Sequence, residues 1–340
     1  MIGKNKHMSK TITIHDIARQ AGVSSSTVSR VLSGTVPVAP NKREVVLAIV
    51  NKLQYRPNMI AQGLARGRTA AIGVMTQSIA SPFYGEILRG IEQGLAGSDY
   101  HPVFASGNWR TEEELAALDL LSGRRVDGLI VLPGVIPDDH LLRVAAELPL
   151  VVIGRSIAGI EQQCLRVDDV LAAQQATSYL LDLGHRRIAH IAGPGTHQDA
   201  LNRRAGYARA LESAGLPLDQ LLIVTGDYTE QSGLLALQAL FSRGVMFTAI
   251  FVANDQMAYG ARLGLYRRGI RVPEDVSLVG FDDLLTSAYT TPPLTTVRQP
   301  IFDMGRAAAQ AILDLLEQRP VELPHFATEL VIRESAVLRR

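Results

Sequence analysis

The 340-residue chain has a single cysteine, Cys164, a single tryptophan, Trp109, and only 5% aromatic residues. One cysteine excludes an internal disulfide; its ordinary place is a small buried apolar position in a reducing compartment. Nowhere do about 18 apolar residues run uninterrupted, and no apolar stretch of signal-peptide length follows the basic opening MIGKNKHMSK. These absences predict a soluble, cytoplasmic protein with no membrane partner. Met8, directly ahead of the patterned SKTITIHDIA, is a second candidate start, so residues 1–7 are set aside. Acidic residues are scarce at one end only. Residues 1–69 hold 11 Lys and Arg against Asp16 and Glu44, a balance of +9, and the remainder holds 23 basic against 31 acidic residues, a balance of −8. One end is built to meet a polyanion and the rest is not.

Enzyme signatures are missing as well. GPGTHQ at Gly193 lacks the third glycine of a dinucleotide fingerprint, and there is no P-loop, no H-E-x-x-H and no G-x-S-x-G. Asp282 and Asp283 are adjacent, but no cluster of His or Glu accompanies them. The chain is therefore expected to be no enzyme and to carry no cofactor and no metal.

What is present begins with helical periodicity inside the basic end. Ile14, Ile17, Ala18 and Ala21 share one face, Thr13 and Asp16 suit a capping box, and Gly22 suits the stop. Ser24 can cap a second helix with Val28, Val31 and Leu32 behind it and Ser25, Ser26 and Arg30 on the opposite face. A third helix, roughly 41–54, puts Val45, Ala48, Ile49 and Leu53 on one stripe. Two short helices around a glycine turn, closed by a third, make a helix-turn-helix module. The serines then acquire a purpose. Short side chains at the start of a helix in a major groove let the backbone come close, and their hydroxyls can meet base edges or phosphates. Beyond it, Pro57 breaks the helix, Asn58 can cap a new one, and that one lasts about two turns, too short to stand alone.

TITIHDIARQAGVSSSTVSRVLSG and LQYRPNMIAQGLARGRTAAIGV resemble the DNA-binding headpiece and hinge of the lactose/galactose-repressor (LacI/GalR) family of bacterial transcription regulators. DGLIVLP, LGHRRIAHIAGP, FVANDQMAYGA, VPEDVSLVGFDD and PPLTTVRQP continue the resemblance in order along nearly the whole chain, and IPDDHL and SLVGFDDLLTSAY are most similar to the galactose-repressor branch. The resemblance implies base reading by Ser25, Ser26 and Arg30 and backbone contacts from Thr27 and Ser29, with Thr13, Ser24, Asn58 and Arg66 completing the DNA-binding set. It also implies that the hinge helix pairs with its twin in the minor groove and wedges Leu64 between base pairs, bending the duplex.

From Ala70 onward the texture changes. AAIGVMT, HPVFAS, DGLIVLP, PLVVIG, RIAHIAG, LLIVTG, TAIFVA and VSLVGF are short Val- and Ile-rich runs, each followed by a helical stretch, the pattern of parallel sheets covered on both faces. The predicted fold is an all-α helix-turn-helix headpiece (11–56) after a tail (1–10), a hinge (57–69), and an α/β periplasmic-binding-protein-like core (70–340) of two parallel-sheet subdomains. By resemblance these are 70–164 with 294–320, and 165–293 with 321–340.

Ligands of open α/β sheets sit beyond the carboxyl ends of the strands. Ser81, Phe83, Tyr84, Trp109, Arg203, Tyr228, Asn254 and Asp282 fall there. Aromatic faces suit the C–H side of a sugar ring, and Arg, Asn and Asp can each engage neighbouring hydroxyls. By resemblance Arg203, Asn254 and Asp282 match effector-contacting positions, Tyr228 a stacking one, and Phe83 and Tyr84 pocket-lining ones; Trp109 rests on its place alone. The implied function is a repressor of a sugar-utilisation operon, binding double-stranded pseudo-palindromic operator DNA under control of a sugar or glycoside in the cleft. A purine or sugar-acid effector, or action with a co-repressor, stays open. ELVIRESAVLRR carries no leucine-heptad tail such as the family's tetramers have, which implies a homodimer.

Overall fold

The computed structural model describes residues 12–33, 37–55 and 68–339. The chain divides into two units between Thr69 and Ala70. The expected tail, most of the expected hinge, and with it Asn58, Leu64 and Arg66, lie outside the described residues.

The first unit is helical. Helix α1 (Ile14–Ala21) opens on the capping box, with the Asp16 amide donating to Thr13 Oγ1 (3.4 Å) and the Thr13 amide to Asp16 Oδ2 (3.1 Å). It closes on Gly22, whose φ of 64° is left-handed and free of strain only for glycine. Helix α2 (Ser25–Ser33) starts where Ser24 Oγ accepts from the Thr27 amide (3.2 Å). Helix α3 (Pro40–Lys52) has proline in its first turn, where no amide is needed. Ile17, Val28 and Val46 are fully buried, with Ala18 and Val31 beside them. The expected stripe on α3 is displaced by one residue. Val45 and Ala48 are exposed, and Val46, Ile49, Val50 and Leu53 face the other helices. In VVLAIV two adjacent stripes are apolar, and only packing against α1 and α2 selects between them.

The second unit contains every strand anticipated from the apolar runs. The first sheet has the order β2-β1-β3-β4-β5, with β1 Ala71–Thr76, β2 His101–Ser106, β3 Gly128–Val131, β4 Leu150–Ile153 and β5 Cys164–Leu165, all parallel. Helices α4 (Pro82–Leu95), α5 (Thr111–Gly123) and α6 (Asp138–Glu147) connect them. Alternation along β1 shows why its run is apolar throughout: Ile72 and Val74 pack toward α4, and Met75 packs toward α5.

The second sheet has the order β11-β10-β9-β8-β6-β7. Its parallel strands are β6 Ile188–Ala192, β7 Ile223–Thr225, β8 Ala249–Val252, β9 Ser277–Asp282 and β10 Thr295–Arg298; β11 (Glu329–Val331) pairs antiparallel with β10. Helices α7 (Asp169–Asp182) and α8 (Gln198–Ser213) cover one face, and α9 (Glu230–Ser242) and α10 (Asp255–Arg267) the other.

The crossings between subdomains come later than expected. Leu165 and Val167 still pack in the first core. The return set at 294 comes after β10, which pairs with β9 and buries Val297 in the second core. Only helix α11 (Ile301–Leu316) passes back, against α4; Gly305 lies so close to the Ile87 carbonyl, and Gly90 to that of Phe302, that neither site has room for a Cβ. Phe326 remains in the first core, so the return set at 321 is also late. Among the described residues no helix is long and apolar enough to cross a membrane.

Candidate functional site

On the headpiece, Ser24, Ser26, Ser29, Arg30 and Thr13 are exposed. Ser24 Oγ lies 2.8 Å from Ser26 Oγ and 2.9 Å from Thr27 Oγ1, a small hydroxyl network at the start of α2. Thr27 is half-buried, and the Thr13 hydroxyl donates to Asp16 (2.7 Å). Ser25 differs from the expectation of a face opposite Val28. It is half-buried, turned back to α1, with its Oγ 2.9 Å from Nδ1 of His15. The cause is helical geometry: Ser25 and Val28 are three residues apart and therefore neighbours. His15 had no distinguishing signal in the sequence, because its partner is ten residues away.

In the second unit a cavity of about 270 Å³ opens between the two sheets, at the carboxyl ends of their strands. Its lining includes all eight residues singled out above. Ser81, Phe83, Tyr84 and Trp109 come from the first subdomain, and Arg203, Tyr228, Asn254 and Asp282 from the second. Asp199, Asp227, Gln256 and Pro133 join them and were not anticipated. A search of the loop after RIAHIAG, where GPGTHQDA carries His197 and Asp199, would have found one of the four.

Arg203 organises the polar wall. Its Nε donates to Asp169 Oδ1 (2.8 Å) and its Nη1 to the Ala253 carbonyl (2.7 Å), with Asp199 and Asp282 each 3.8 Å away. The guanidinium lies 3.9 Å over the Phe281 ring. Burial alone would lower its pKa; Asp169, Tyr228, Asp199 and Asp282 outweigh burial and hold it above its ordinary value. Burial pushes the Asp282 carboxyl well above the carboxylate range, against the pull of Arg203 and with Asp255 adding to the rise. Gln299 Nε2 donates to Asp282 Oδ1 (2.8 Å). Burial also raises Asp227, but the Thr229 and Ser232 hydroxyls more than offset it and leave that carboxylate below its usual value.

The other groups are held by their neighbours. Asn254 caps α10, accepting from the Met257 amide (3.0 Å), and donates to the Tyr228 carbonyl (3.0 Å). Tyr228 OH donates to Asp199 Oδ2 (3.0 Å). Asp255 faces away from the cavity, accepting from Thr296 Oγ1 (2.6 Å), Ser287 Oγ (2.6 Å) and the Leu284 amide (2.9 Å). Asp283 is bound in the loop by Arg298 (2.7 Å) and Arg333 (2.6 Å), so the adjacent aspartates do not form a common site. Trp109 stacks on His197 with centroids 4.0 Å apart and planes 17° off parallel, joining the two subdomains. Burial holds the His197 imidazole below its ordinary pKa, against the pull of Asp199. Three of the nine described non-glycine residues with positive φ (Trp109, Tyr228 and Asp282) line this cleft, and two more, Asn108 and Asp283, are their neighbours in the chain.

The arrangement offers hydrogen bonds on one side and flat apolar surface on the other. It is a binding site attached to a basic helical reader. Residues 13–58 match the model of bacterial regulatory proteins of the lacI family, and 177–336 match the periplasmic binding protein-like domain. Catabolite control protein A of Priestia megaterium is 36% identical, covering 92% of this chain and 97% of its own. The chain belongs to the LacI family. The transcriptional regulator GalR of Escherichia coli K12 is 35% identical, over 96% of this chain and 95% of GalR. Among solved structures, the Lac repressor dimer bound to operator and an anti-inducer matches with TM-score 0.85 at 30% identity, covering 96% of this chain and all of that one. The CelR–cellobiose complex matches with TM-score 0.71 at 35% identity, over 95% and 99% of the two chains. This LacI-family protein is a DNA-binding transcriptional regulator and not an enzyme.

Proposed function

We propose that this regulator is a homodimeric repressor of a sugar-utilisation operon, and that a neutral sugar or glycoside held in the cleft sets its affinity for a pseudo-palindromic operator. The observation that carries the reading is the pairing, around one cavity, of Arg203, Asn254 and Asp282 with the rings of Phe83, Tyr84 and Trp109. Charge argues against a sugar acid. The described lining holds three aspartates and, as its cation, Arg203, which Asp169 already matches. The CelR relative, solved with cellobiose, agrees with a saccharide ligand. Tyr266, Leu285 and Tyr289 on the second subdomain, 78%, 81% and 77% exposed, are the large apolar side chains offered to the dimer contact in this reading.

The test is a thermal-shift panel of neutral sugars, glycosides, sugar acids and purines on the full protein, followed by operator titration with each binder. Effector and operator affinities must change reciprocally. Stabilisation by sugar acids or purines alone would replace the proposed ligand, and a monomeric mass in ultracentrifugation would remove the dimer. On the headpiece, Arg30→Ala should weaken specific operator binding by about 1–3 kcal/mol and non-specific binding much less, at fixed salt. An unchanged ratio of the two would exclude base reading by Arg30.

A further inference from the structure

We propose that Glu114, acting through Gln77, is a positioning residue that sets Trp109 as the bridge between the two subdomains. The consequence for ligand affinity rests on the sugar reading above; the positioning itself does not.

Glu114 is on α5 and fully buried in the first subdomain, away from the cavity lining. A carboxylate there is unfavourable unless several donors surround it, and an apolar side chain would serve packing better. The donors are the Val135 and Ile136 amides, after β3, at 2.9–3.0 Å, and the side-chain amide of Gln77, after β1, packs beside the same carboxylate over Gly134. The two glycines beside this carboxylate leave it room: a Cβ at Gly107 would strike the Glu114 side chain, and one at Gly134 would strike both Gln77 and the carboxylate.

Gln77, also fully buried, passes the constraint on. Its Oε1 accepts from the Trp109 amide (2.7 Å), and its carbonyl accepts from the Asn108 amide (3.1 Å). Those two bonds hold consecutive left-handed residues, Asn108 at φ 50°, where asparagine is tolerated, and Trp109 at φ 58°, where a bulky side chain is uncommon. The turn delivers the indole to His197, across the cleft. Beside it, Ser81 Oγ donates to Gln256 Oε1 (3.3 Å), a second contact between the two subdomains. Glutamine at position 114 would keep the size but lose an acceptor, since its amide NH₂ would face backbone N–H groups.

Trp109 is the sole tryptophan, so fluorescence excited at the red edge of the absorption band, beyond the nine tyrosines, reads this residue alone. In the wild type, emission should lie well to the blue of the urea-unfolded chain and resist acrylamide. Glu114→Gln and Gln77→Leu should each move it to the red and raise quenching, and His197→Leu should do the same by removing the stack from the far side. If both variants fold, by circular dichroism, and keep wild-type emission, the proposal is overturned; an unmoved emission in His197→Leu overturns it too, because no stack would exist to be positioned. Should Glu114→Gln fail to fold, Gln77→Leu decides alone. Titration with cellobiose and with D-galactose supplies the second readout, with affinity falling about tenfold in both variants while ligand-free operator affinity holds. If neither sugar binds the wild type, the sugar reading loses support and the emission result still decides the positioning.

Discussion

The two walls of the cleft are made differently. The first subdomain presents Ser78, Ala80, Ser81, Phe83, Tyr84, Trp109 and Pro133, with no formal charge; the second presents Asp199, Arg203, Asp227, Thr229, Asn254, Gln256 and Asp282, with Tyr228 as its one ring. The uncharged wall offers area, and the charged wall offers direction. A ligand that forms its hydrogen bonds on the second subdomain and is then covered by rings from the first would couple recognition to closure, because neither wall alone encloses it. Each wall's rigidity also has a separate source: an ion-pair network around Arg203 on one side, and the buried Glu114 carboxylate on the other.

The comparison breaks most severely at Arg203. Arg203→Ala leaves Asp169 buried without its partner, and the core should lose about 3–5 kcal/mol in urea unfolding; a loss under about 1 kcal/mol would mean that the charged wall is not held together this way. Next in size is a pH effect behind the same wall. His190, stacked between Tyr207 and Phe251, is pulled down to about 4 by burial, with the Phe251 carbonyl only partly opposing. Its folded pKa is below the unfolded value of 6.5, so its contribution is present above pH 6.5 and declines toward pH 4. Relative to His190→Phe, the wild type should lose about 3 kcal/mol on acidification through that window. Asp255, raised to about 6 by burial, moves the other way, gaining stability as it protonates, so the difference between the two proteins is the quantity to measure. Parallel curves would show that His190 does not titrate with folding.

Asp282→Asn tests direction. It should weaken the bound sugar by about 1.5–3 kcal/mol in calorimetry and leave ligand-free operator binding as it was. Normal release of DNA by that variant would show that Asp282 is not a ligand contact. Trp109→Ala on the uncharged wall should have the smallest effect, about 0.5–1.5 kcal/mol in sugar affinity. A loss from Trp109→Ala larger than that from Asp282→Asn would reverse the assignment of roles to the two walls.

How far the sequence could be read followed from the kind of signal available. Parallel strands buried on both faces spell continuous apolar runs, so AAIGVMT or TAIFVA is legible alone. β5, β10 and β11 are two to four residues of mixed character and gain strand geometry only from their partners. The α3 stripe was ambiguous for the opposite reason, an excess of apolar residues at 45–50. Cleft residues were legible where they sit at the carboxyl end of an apolar strand, as Asn254 and Asp282 do. Gln256 escaped because its Ser81 partner is 175 positions away, and Glu114 because a carboxylate in TEEEL reads as an exposed helix face.

From its own composition and periodicity the chain decided that a basic three-helix reader precedes an α/β core, because charge balance, capping residues and apolar period are local properties. Which stripe of α3 turns inward, where the chain crosses between sheets, and which carboxylates meet Arg203 were decided only when distant segments packed. Burial and ion pairing depend on neighbours in space, and those neighbours are tens to hundreds of residues apart along the chain.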